Sequence, residues 1–365
     1  MGNLTEDLII DILVRLPVKS IIKFSCVCKV WHKLLNNNTN LDFVKLKLKY
    51  DIEIGNNKLL LTKATSRPIL LSDEIVKIDH PAMDAGTRIL STCNGLIFAS
   101  TPIGYDIYIW NPVTKEYKIL PYTKSIMCRM RYVYEIGCGF GYDCGIEDYK
   151  VVAIVHDKNS NYSDVEVYTL GLDTWRMSSS IPYRLAKGGP AGVFFNGALN
   201  WLAQSCSGTK LQVLLSFDMK DEIFVEIHQP ENLDKFNYKF VGVLGGCLSM
   251  LCSVGKVGFE VWVMQDYGVK ESWTTLFKID QLMSVDIPSF HYLRRIVSLK
   301  NGEILLEIRL DGEQDDTTFI VYDQKREKAR VVKILKMENE ILRNHSRIFG
   351  IVVKSRVEEV LYSFR

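Results

Sequence analysis

The sequence predicts two parts, a small all-α segment at the N terminus and an all-β propeller of six or seven blades after it. Five aromatic positions recur every 45 to 60 residues, a period typical of stacked or radially arranged β-units. A polar turn and a second anchor follow each of them, and four of the five intervals are seven residues long. Before residue 50, apolar residues instead recur about every four positions, which indicates amphipathic helices.

The repeat consists of a leading aromatic and its second anchor. The five pairs are Trp110 with Tyr117, Tyr168 with Trp175, Phe217 with Phe224, Trp262 with Trp273, and Tyr322 with Ala329. We expect these aromatics in the blade cores, and core packing alone explains any single one, because large rings dominate core burial. The evidence for a propeller is therefore the period, together with the fixed interval inside each pair.

Turn signals stand upstream of four leading aromatics: Asn94-Gly95, Asn196-Gly197, Gly245-Gly246 and Asn301-Gly302. Such dipeptides suit two-residue hairpins, since both central residues must tolerate positive φ. Short strand candidates flank each turn, so one unit is predicted to hold four strands, which is one propeller blade. The second unit offers only a weak turn at Asp148-Tyr149. Residues 58–73 and 347–364 supply further strands that could close the propeller.

The first 48 residues are predicted to form three or four short helices. Leu4, Leu8, Ile12 and Leu16 share one face of the first helix, which Pro17 ends. Further helices are predicted over 18–24, from about residue 25 to 35, and after residue 40. A unit this small is marginally stable alone, so its apolar excess requires a partner, either the propeller or another protein. We therefore divide the chain into a helical unit (1–48), a linker with the first propeller strands (49–86) and the propeller (87–365).

The string NLTEDLIIDILVRLPVKSIIKFSCVCKVWHKLL, residues 3–35, resembles the F-box of plant proteins. It departs from the usual pattern at Thr5, where the family carries Pro, and Thr is itself a residue that caps helices. The resemblance implies docking on a Skp-family adaptor, and through it on cullin and RING subunits. The residues that it assigns to this contact or its support are Leu4, Leu8, Ile12, Leu16, Pro17, Ser20, Phe24, Val27, Lys29 and Trp31.

The rest of the chain resembles the plant F-box-associated domain, a kelch-like propeller. The matching blocks include CNGLI at 93–97, IWNPVTKEYKILP at 109–121 and FEVWVMQDYGVKESWTTLFKI at 259–279. The resemblance implies the substrate-recognition subunit of a Skp-cullin-F-box ubiquitin ligase, which recruits an unknown protein target for ubiquitination and proteasomal degradation. Two alternatives remain: a protein-interaction scaffold outside any ligase, and a pollen S-locus receptor for a secreted ribonuclease.

Composition fits an intracellular binding protein. The net charge is +2, from 45 basic and 43 acidic side chains, so no global field favours nucleic acid or an acidic membrane as a partner. The nine cysteines follow no disulfide or zinc-binding spacing, and no secretory leader precedes them, which predicts reduced thiols, no metal and a cytoplasmic or nuclear location.

The sequence contains no catalytic motif, and we expect neither enzymatic activity nor a cofactor. The six histidines are scattered, and none stands in a metal-binding or nucleophile-activating frame. Gly137, Gly139 and Gly141 suggest a strand that a neighbouring backbone approaches closely, since no dinucleotide-binding helix follows them. Loops on a rigid scaffold carry recognition. We expect the target to contact the loops at residues 122–136, 156–164, 184–191, 228–238 and 309–317.

Overall fold

The computed structural model of the chain describes both parts. It covers residues 5–16, 18–24, 26–29, 31, 59–63, 66–71, 75–77, 88–101, 106–111, 116–122, 136–156, 160–185, 191–206, 212–254, 258–280, 290–298, 303–310, 317–323, 325–326, 328–332 and 351–353. Over these ranges, every helix falls short of the length and hydropathy that a membrane crossing needs.

The N-terminal unit contains helix α1 (Glu6–Val14) and helix α2 (Val18–Phe24). Thr5 precedes α1 with extended backbone, but its hydroxyl makes no capping hydrogen bond, so the helix forms without that contribution. Leu13, Val14 and Ile21 are buried between the helices. The second helix has the predicted bounds, whereas the predicted helices after residue 25 lie largely outside the described residues.

The β-strands of the chain form antiparallel sheets. Sheet 1 contains β1 (Leu59–Lys63), β2 (Ser66–Leu71) and β3 (Ile75–Lys77), and sheet 2 contains β4 (Arg88–Cys93), β5 (Leu96–Ser100), β6 (Ile107–Trp110) and β7 (Tyr117–Ile119). Sheet 3 contains β8 (Ile136–Asp143), β9 (Asp148–His156), β10 (Ser163–Thr169) and β11 (Thr174–Ile181). Sheet 4 contains β12 (Tyr183–Leu185), β13 (Val193–Phe195), β14 (Ala198–Ser205), β15 (Gln212–Asp218) and β16 (Phe224–Ile227).

Two more sheets and a closing strand complete this architecture. Sheet 5 contains β17 (Tyr238–Leu244), β18 (Cys247–Val254), β19 (Gly258–Met264) and β20 (Trp273–Asp280). Sheet 6 contains β21 (Phe290–Ser298), β22 (Ile304–Leu310), β23 (Thr317–Asp323) and β24 (Lys328–Val332). The last strand, β25 (Ile351–Val353), pairs with β1 and thus joins sheet 1. Two short 3-10 helices cover Leu233–Lys235 and Lys270–Ser272.

The sheets surround a common axis as the blades of a propeller. Their inner strands contact one another in order: β25 contacts β4, then come β8, β13, β17 and β21. The C-terminal strand β25 supplies the inner position of blade 1, with Leu60 opposite Val353. Residues 59–63 and 351–353, from opposite sides of the repeats, therefore share blade 1. The described residues form six blades, within the predicted six or seven.

The repeated pairs lie opposite each other on the third and fourth strands of their blades. Trp110 faces Tyr117, and the same pairing joins Tyr168 with Trp175, Phe217 with Phe224, and Tyr322 with Ala329. In blade 5, however, Met264 stands opposite Trp273, while Trp262 stands opposite Thr275. Trp262 and Trp273 therefore do not face each other as the other pairs do, because Met264 takes the position that the leading aromatic has in the other blades.

The predicted hairpins form where the sequence places Gly. Asn94 and Gly95 have φ values of 46° and 79°, and both residues of the Asn196-Gly197 and Gly245-Gly246 turns also have positive φ. The Asn301-Gly302 turn lies outside the described residues. The turn predicted at Asp148-Tyr149 is wrong, because β9 begins at Asp148 and residues 144–147 make the turn. Glu147, with φ of 56°, takes the left-handed conformation there.

The glycines of β8 allow blades 3 and 4 to approach closely. A β-carbon at Gly139 would lie 2.8 Å from Leu199 and 2.8 Å from Trp201, and one at Gly137 would collide with Leu185. The indole nitrogen of Trp201 donates to the carbonyl of Cys138 at 3.1 Å. Close approach is therefore the reason for the Gly-x-Gly-x-Gly pattern, as the sequence indicated.

Candidate protein-interaction surfaces

Helix α1 presents apolar side chains that its own unit does not bury. Leu8 and Ile12 are 52% and 49% exposed, and they lie one helical turn apart on the same face. Val27, beyond α2, is 61% exposed. Asp11 and Arg15 form an ion pair at 2.9 Å along the same helix. Large apolar side chains exposed together on a small unit indicate a contact surface.

Other residues assigned to the adaptor contact support this surface from within. Trp31 packs edge to face on Phe24, with ring centroids 5.6 Å apart, and both rings lie with Leu16 against the small core. Ser20 is half-buried and Lys29 is exposed. Leu4 and Pro17 lie outside the described residues. The structure thus divides the predicted set into exposed candidates for contact and rings that hold the helices together.

The propeller presents two opposite faces. In a four-stranded antiparallel blade, the first and third connections lie at one end and the second connection at the other. We call the end with the first and third connections the turn face, and the opposite end the loop face. The connections that start at residues 122, 156, 228 and 309 belong to the loop face, whereas residues 184–191 interrupt the inner strand of blade 4. Most residues of these five loops lie outside the described ranges.

A buried ion cluster ties blade 3 to blade 4 beneath the turn face. Lys150 Nζ lies 2.6 Å from Asp143 Oδ2 and 2.8 Å from Glu222 Oε1, and it donates to the carbonyl of Met219 at 2.9 Å. The side chains of Lys150 and Asp143 are 4% and 1% exposed. Burial of these opposite charges is tolerated because Lys150 pairs with Asp143 on its own blade and with Glu222 on the next blade.

Glu222 is the point where this cluster reaches the surface. Arg176 and Ser178 of β11 also donate to its carboxylate. Burial would raise the pKa of Glu222, but the hydrogen bonds from Lys150, Arg176 and Ser178 outweigh burial and hold the pKa below its usual value. Sequence reasoning missed this cluster. The available signal was Lys150 itself, a lysine inside the apolar strand YKVVAIV.

The second anchors of the repeat connect neighbouring blades. The indole nitrogen of Trp175 donates to the carbonyl of Pro121, which follows blade 2, at 2.7 Å. Trp273 makes the same contact with the carbonyl of His228, which follows blade 4, also at 2.7 Å. Trp110, Tyr168 and Phe217 are fully buried, Trp273 and Tyr322 are nearly so, and Trp175 and Trp262 are half-buried.

The longer turn of blade 5 reaches back to blade 4. Its Tyr267 hydroxyl lies 2.9 Å from Asn200 Oδ1 and 2.8 Å from Ser216 Oγ. The Tyr267 ring packs against Phe195 at a centroid distance of 5.6 Å. The extra residues between Met264 and Trp273 therefore have a structural role, which the seven-residue spacing could not predict.

The side chains capable of chemistry do not form a catalytic arrangement in the described ranges. His156 Nδ1 lies 3.1 Å from Ser163 Oγ and 3.9 Å from Cys206 Sγ. Burial raises the pKa of the Cys206 thiol, which disfavours the nucleophilic thiolate. Burial also raises the pKa of Cys138 to about 12. No group of His, Cys, Asp and Glu within the described residues has the geometry to hold a metal ion.

Comparison with known proteins agrees with this two-part arrangement. Residues 57–356 match the family described as F-box associated beta propeller domain, and residues 1–42 match the F-box domain. The F-box/kelch-repeat protein At3g23880 of Arabidopsis thaliana is 29% identical, over 77% of this chain and 80% of that protein. F-box protein CPR1 of the same plant is 26% identical, over 92% of this chain and 85% of that protein.

Solved structures give a more distant similarity. A fungal lectin from Aleuria aurantia, described as a six-bladed β-propeller, aligns with a TM-score of 0.42 and 8% identity, over 76% of this chain and 95% of that one. So weak a structural match leaves the assignment to the sequence comparisons, which cover nearly all of both parts. The chain therefore belongs to the F-box associated beta propeller family and carries an F-box domain at its N terminus.

Proposed function

We propose that this chain is the substrate-recognition subunit of a Skp-cullin-F-box ubiquitin ligase. The observation that carries the proposal is the exposed apolar face of α1, within a domain of the F-box family, joined to a propeller whose described residues form six blades. The helical face holds the adaptor, and the propeller holds a protein that is to be ubiquitinated and degraded by the proteasome.

The adaptor contact is assigned to the surface that the helical unit leaves exposed. Leu8, Ile12 and Val27 contact the adaptor directly, because their apolar side chains are between 49% and 61% exposed. Leu16, Phe24 and Trp31 pack against the small core and hold the two helices together. Loss of Trp31 would remove this support, and Trp is also frequent among interface hot spots, so Trp31→Ala should cost on the order of 2 kcal/mol in adaptor binding.

The chemistry of ubiquitin transfer belongs to partners of this chain. The adaptor connects the F-box to cullin and RING subunits, and the propeller brings a target lysine near the ubiquitin carrier. Holding the two reactants together raises their effective concentration without a catalytic residue in the chain that holds them. This role requires neither cofactor nor metal, and it places the protein in the cytoplasm, the nucleus or both.

Calorimetric titration of the Skp-family adaptor into the full chain tests the proposal. Leu8→Ser with Ile12→Ser removes two half-exposed apolar side chains. Their burial contributes roughly 1 kcal/mol each, so Kd should rise about thirtyfold. The control is Leu172→Ser in the propeller, an equally apolar residue that is 70% exposed, which should leave Kd unchanged. Failure of the wild-type chain to bind the adaptor would instead favour a scaffold that acts outside a ligase.

A further inference from the structure

Three turns at the turn face of blades 3 and 4 carry large apolar residues in solvent. Ile146 in turn 144–147 is 56% exposed, Leu172 in turn 170–173 is 70% exposed, and Ile223 at the end of turn 219–223 is 58% exposed. All three are first or third connections of their blades, so they lie at one end of the propeller. Several exposed apolar side chains on one face mark an interaction surface.

The three turns form one connected structure, which we call the three-turn platform. Gly171 in the second turn donates its backbone N–H to Asp148, at the end of the first, at 2.8 Å. Gly145 in the first turn lies against Lys220 of the third, since a β-carbon there would come within 3.0 Å of its side chain. Lys150 joins the blades beneath them. A surface held in this way loses little conformational freedom when a partner binds.

The platform is acidic, although the chain as a whole has a net charge of +2. Among the described residues, the platform and the strand ends next to it carry seven carboxylates: Asp143, Glu147, Asp148, Asp173, Asp218, Asp221 and Glu222. Four cations accompany them: Lys118, Lys150, Arg176 and Lys220. Three of these cations are engaged in ion pairs with Asp173, Asp143 and Glu222. The net charge of these described residues is negative, which attracts a cationic partner and disfavours an acidic one.

We propose that the three-turn platform binds a protein segment in which apolar side chains alternate with lysine or arginine. The apolar side chains of the segment cover Ile146, Leu172 and Ile223, and its cations lie beside Asp218 and Asp221. The inference rests on the proposed function, because this segment belongs to the protein that the ligase recruits. The proposed contact lies on the turn face, whereas four of the five loops predicted from the sequence lie on the loop face.

Fluorescence anisotropy on the full chain bound to its adaptor tests the platform. The probes are two labelled synthetic peptides of 15 residues, one alternating Lys with Leu and one alternating Glu with Leu. The Lys-Leu peptide should bind at least about tenfold more tightly than the Glu-Leu peptide at low salt, and the difference should shrink as salt screens the charges.

Variants locate the contact. Ile146→Ser with Leu172→Ser should weaken the Lys-Leu peptide by about tenfold. Asp221→Lys should also weaken it, and should reduce the preference over the Glu-Leu peptide. Ile146, Leu172 and Asp221 are exposed, so the fold should tolerate these changes. Tyr162→Ser, at a residue 56% exposed on the loop face, is the matched control and should have no effect.

Two results would overturn the inference: equal affinity for both peptides, or loss of binding in the Tyr162→Ser variant but not in the platform variants. Adaptor affinity is measured on the same samples. Intact adaptor binding without a platform contact refutes the platform alone, whereas a wild-type chain that does not bind the adaptor refutes the proposed function as well.

Discussion

Replacement of Lys150 by methionine should destabilise the propeller more than any surface substitution near it. Lys150 Nζ has three partners within 2.9 Å, and its Asp143 partner is 1% exposed. Methionine fills a similar volume but leaves the Asp143 carboxylate buried without its cation. Breaking a buried pair on one side costs about 3–5 kcal/mol.

Urea unfolding of the full chain, followed by tryptophan fluorescence, measures this cost. The matched control is Arg176→Ala, because Arg176 binds the same Glu222 but is 52% exposed, and an exposed pair contributes about 1 kcal/mol or less. Adding Asp143→Asn to Lys150→Met should recover part of the loss, since the buried charge is then absent and the amide oxygen can still accept from Gly145. A loss below about 1 kcal/mol for Lys150→Met would refute the claim that the cluster holds blades 3 and 4 together.

Two further predictions concern the same blades. Tyr267→Phe should cost about 1–2 kcal/mol in urea unfolding, because it removes the hydroxyl that donates to the buried Asn200, whereas Tyr162→Phe at an exposed ring should cost nothing measurable. The pKa of Glu222 is lowered in the folded chain, so its ion pairs stabilise the fold above its ordinary pKa of 4.5, and this stabilisation is lost as pH falls through the folded pKa. The Tm of wild-type protein should therefore fall more steeply below about pH 5 than that of Glu222→Gln. Parallel curves for the two proteins would contradict the assignment.

The sequence predicts the propeller well because turn chemistry and aromatic anchors repeat. Asn94-Gly95 takes the hairpin conformation that its residue types favour, and Trp110 and Tyr117 face each other as their spacing indicates. The repeat does not predict positions where a different residue type takes the place of the aromatic or the glycine. Met264 replaces the aromatic in blade 5, and Glu147 takes a positive φ without glycine.

Contacts between blades are harder to predict than contacts within a blade. Lys150 and Glu222 are 72 residues apart in sequence, and neither stands in a recognisable motif. For the F-box, the helical period identifies which side chains share a face but does not separate contact from support. Leu8 and Trp31 both belong to the predicted set, yet Leu8 is half-exposed and Trp31 packs on Phe24.

Reconstituted ubiquitin transfer tests the central claim most directly. The full chain is combined with its Skp-family adaptor, cullin, RING subunit, ubiquitin, activating enzyme and ubiquitin carrier, and transfer to lysines of the chain itself is measured, because these lysines are held near the carrier. We predict transfer in the wild type, a rate reduced up to about thirtyfold with Leu8→Ser and Ile12→Ser when the adaptor is kept below its Kd, and a rate within about twofold of wild type for His156→Ala. Transfer that persists without adaptor binding, or that stops with His156→Ala while the adaptor still binds, would contradict the account of this chain as a receptor that supplies proximity alone.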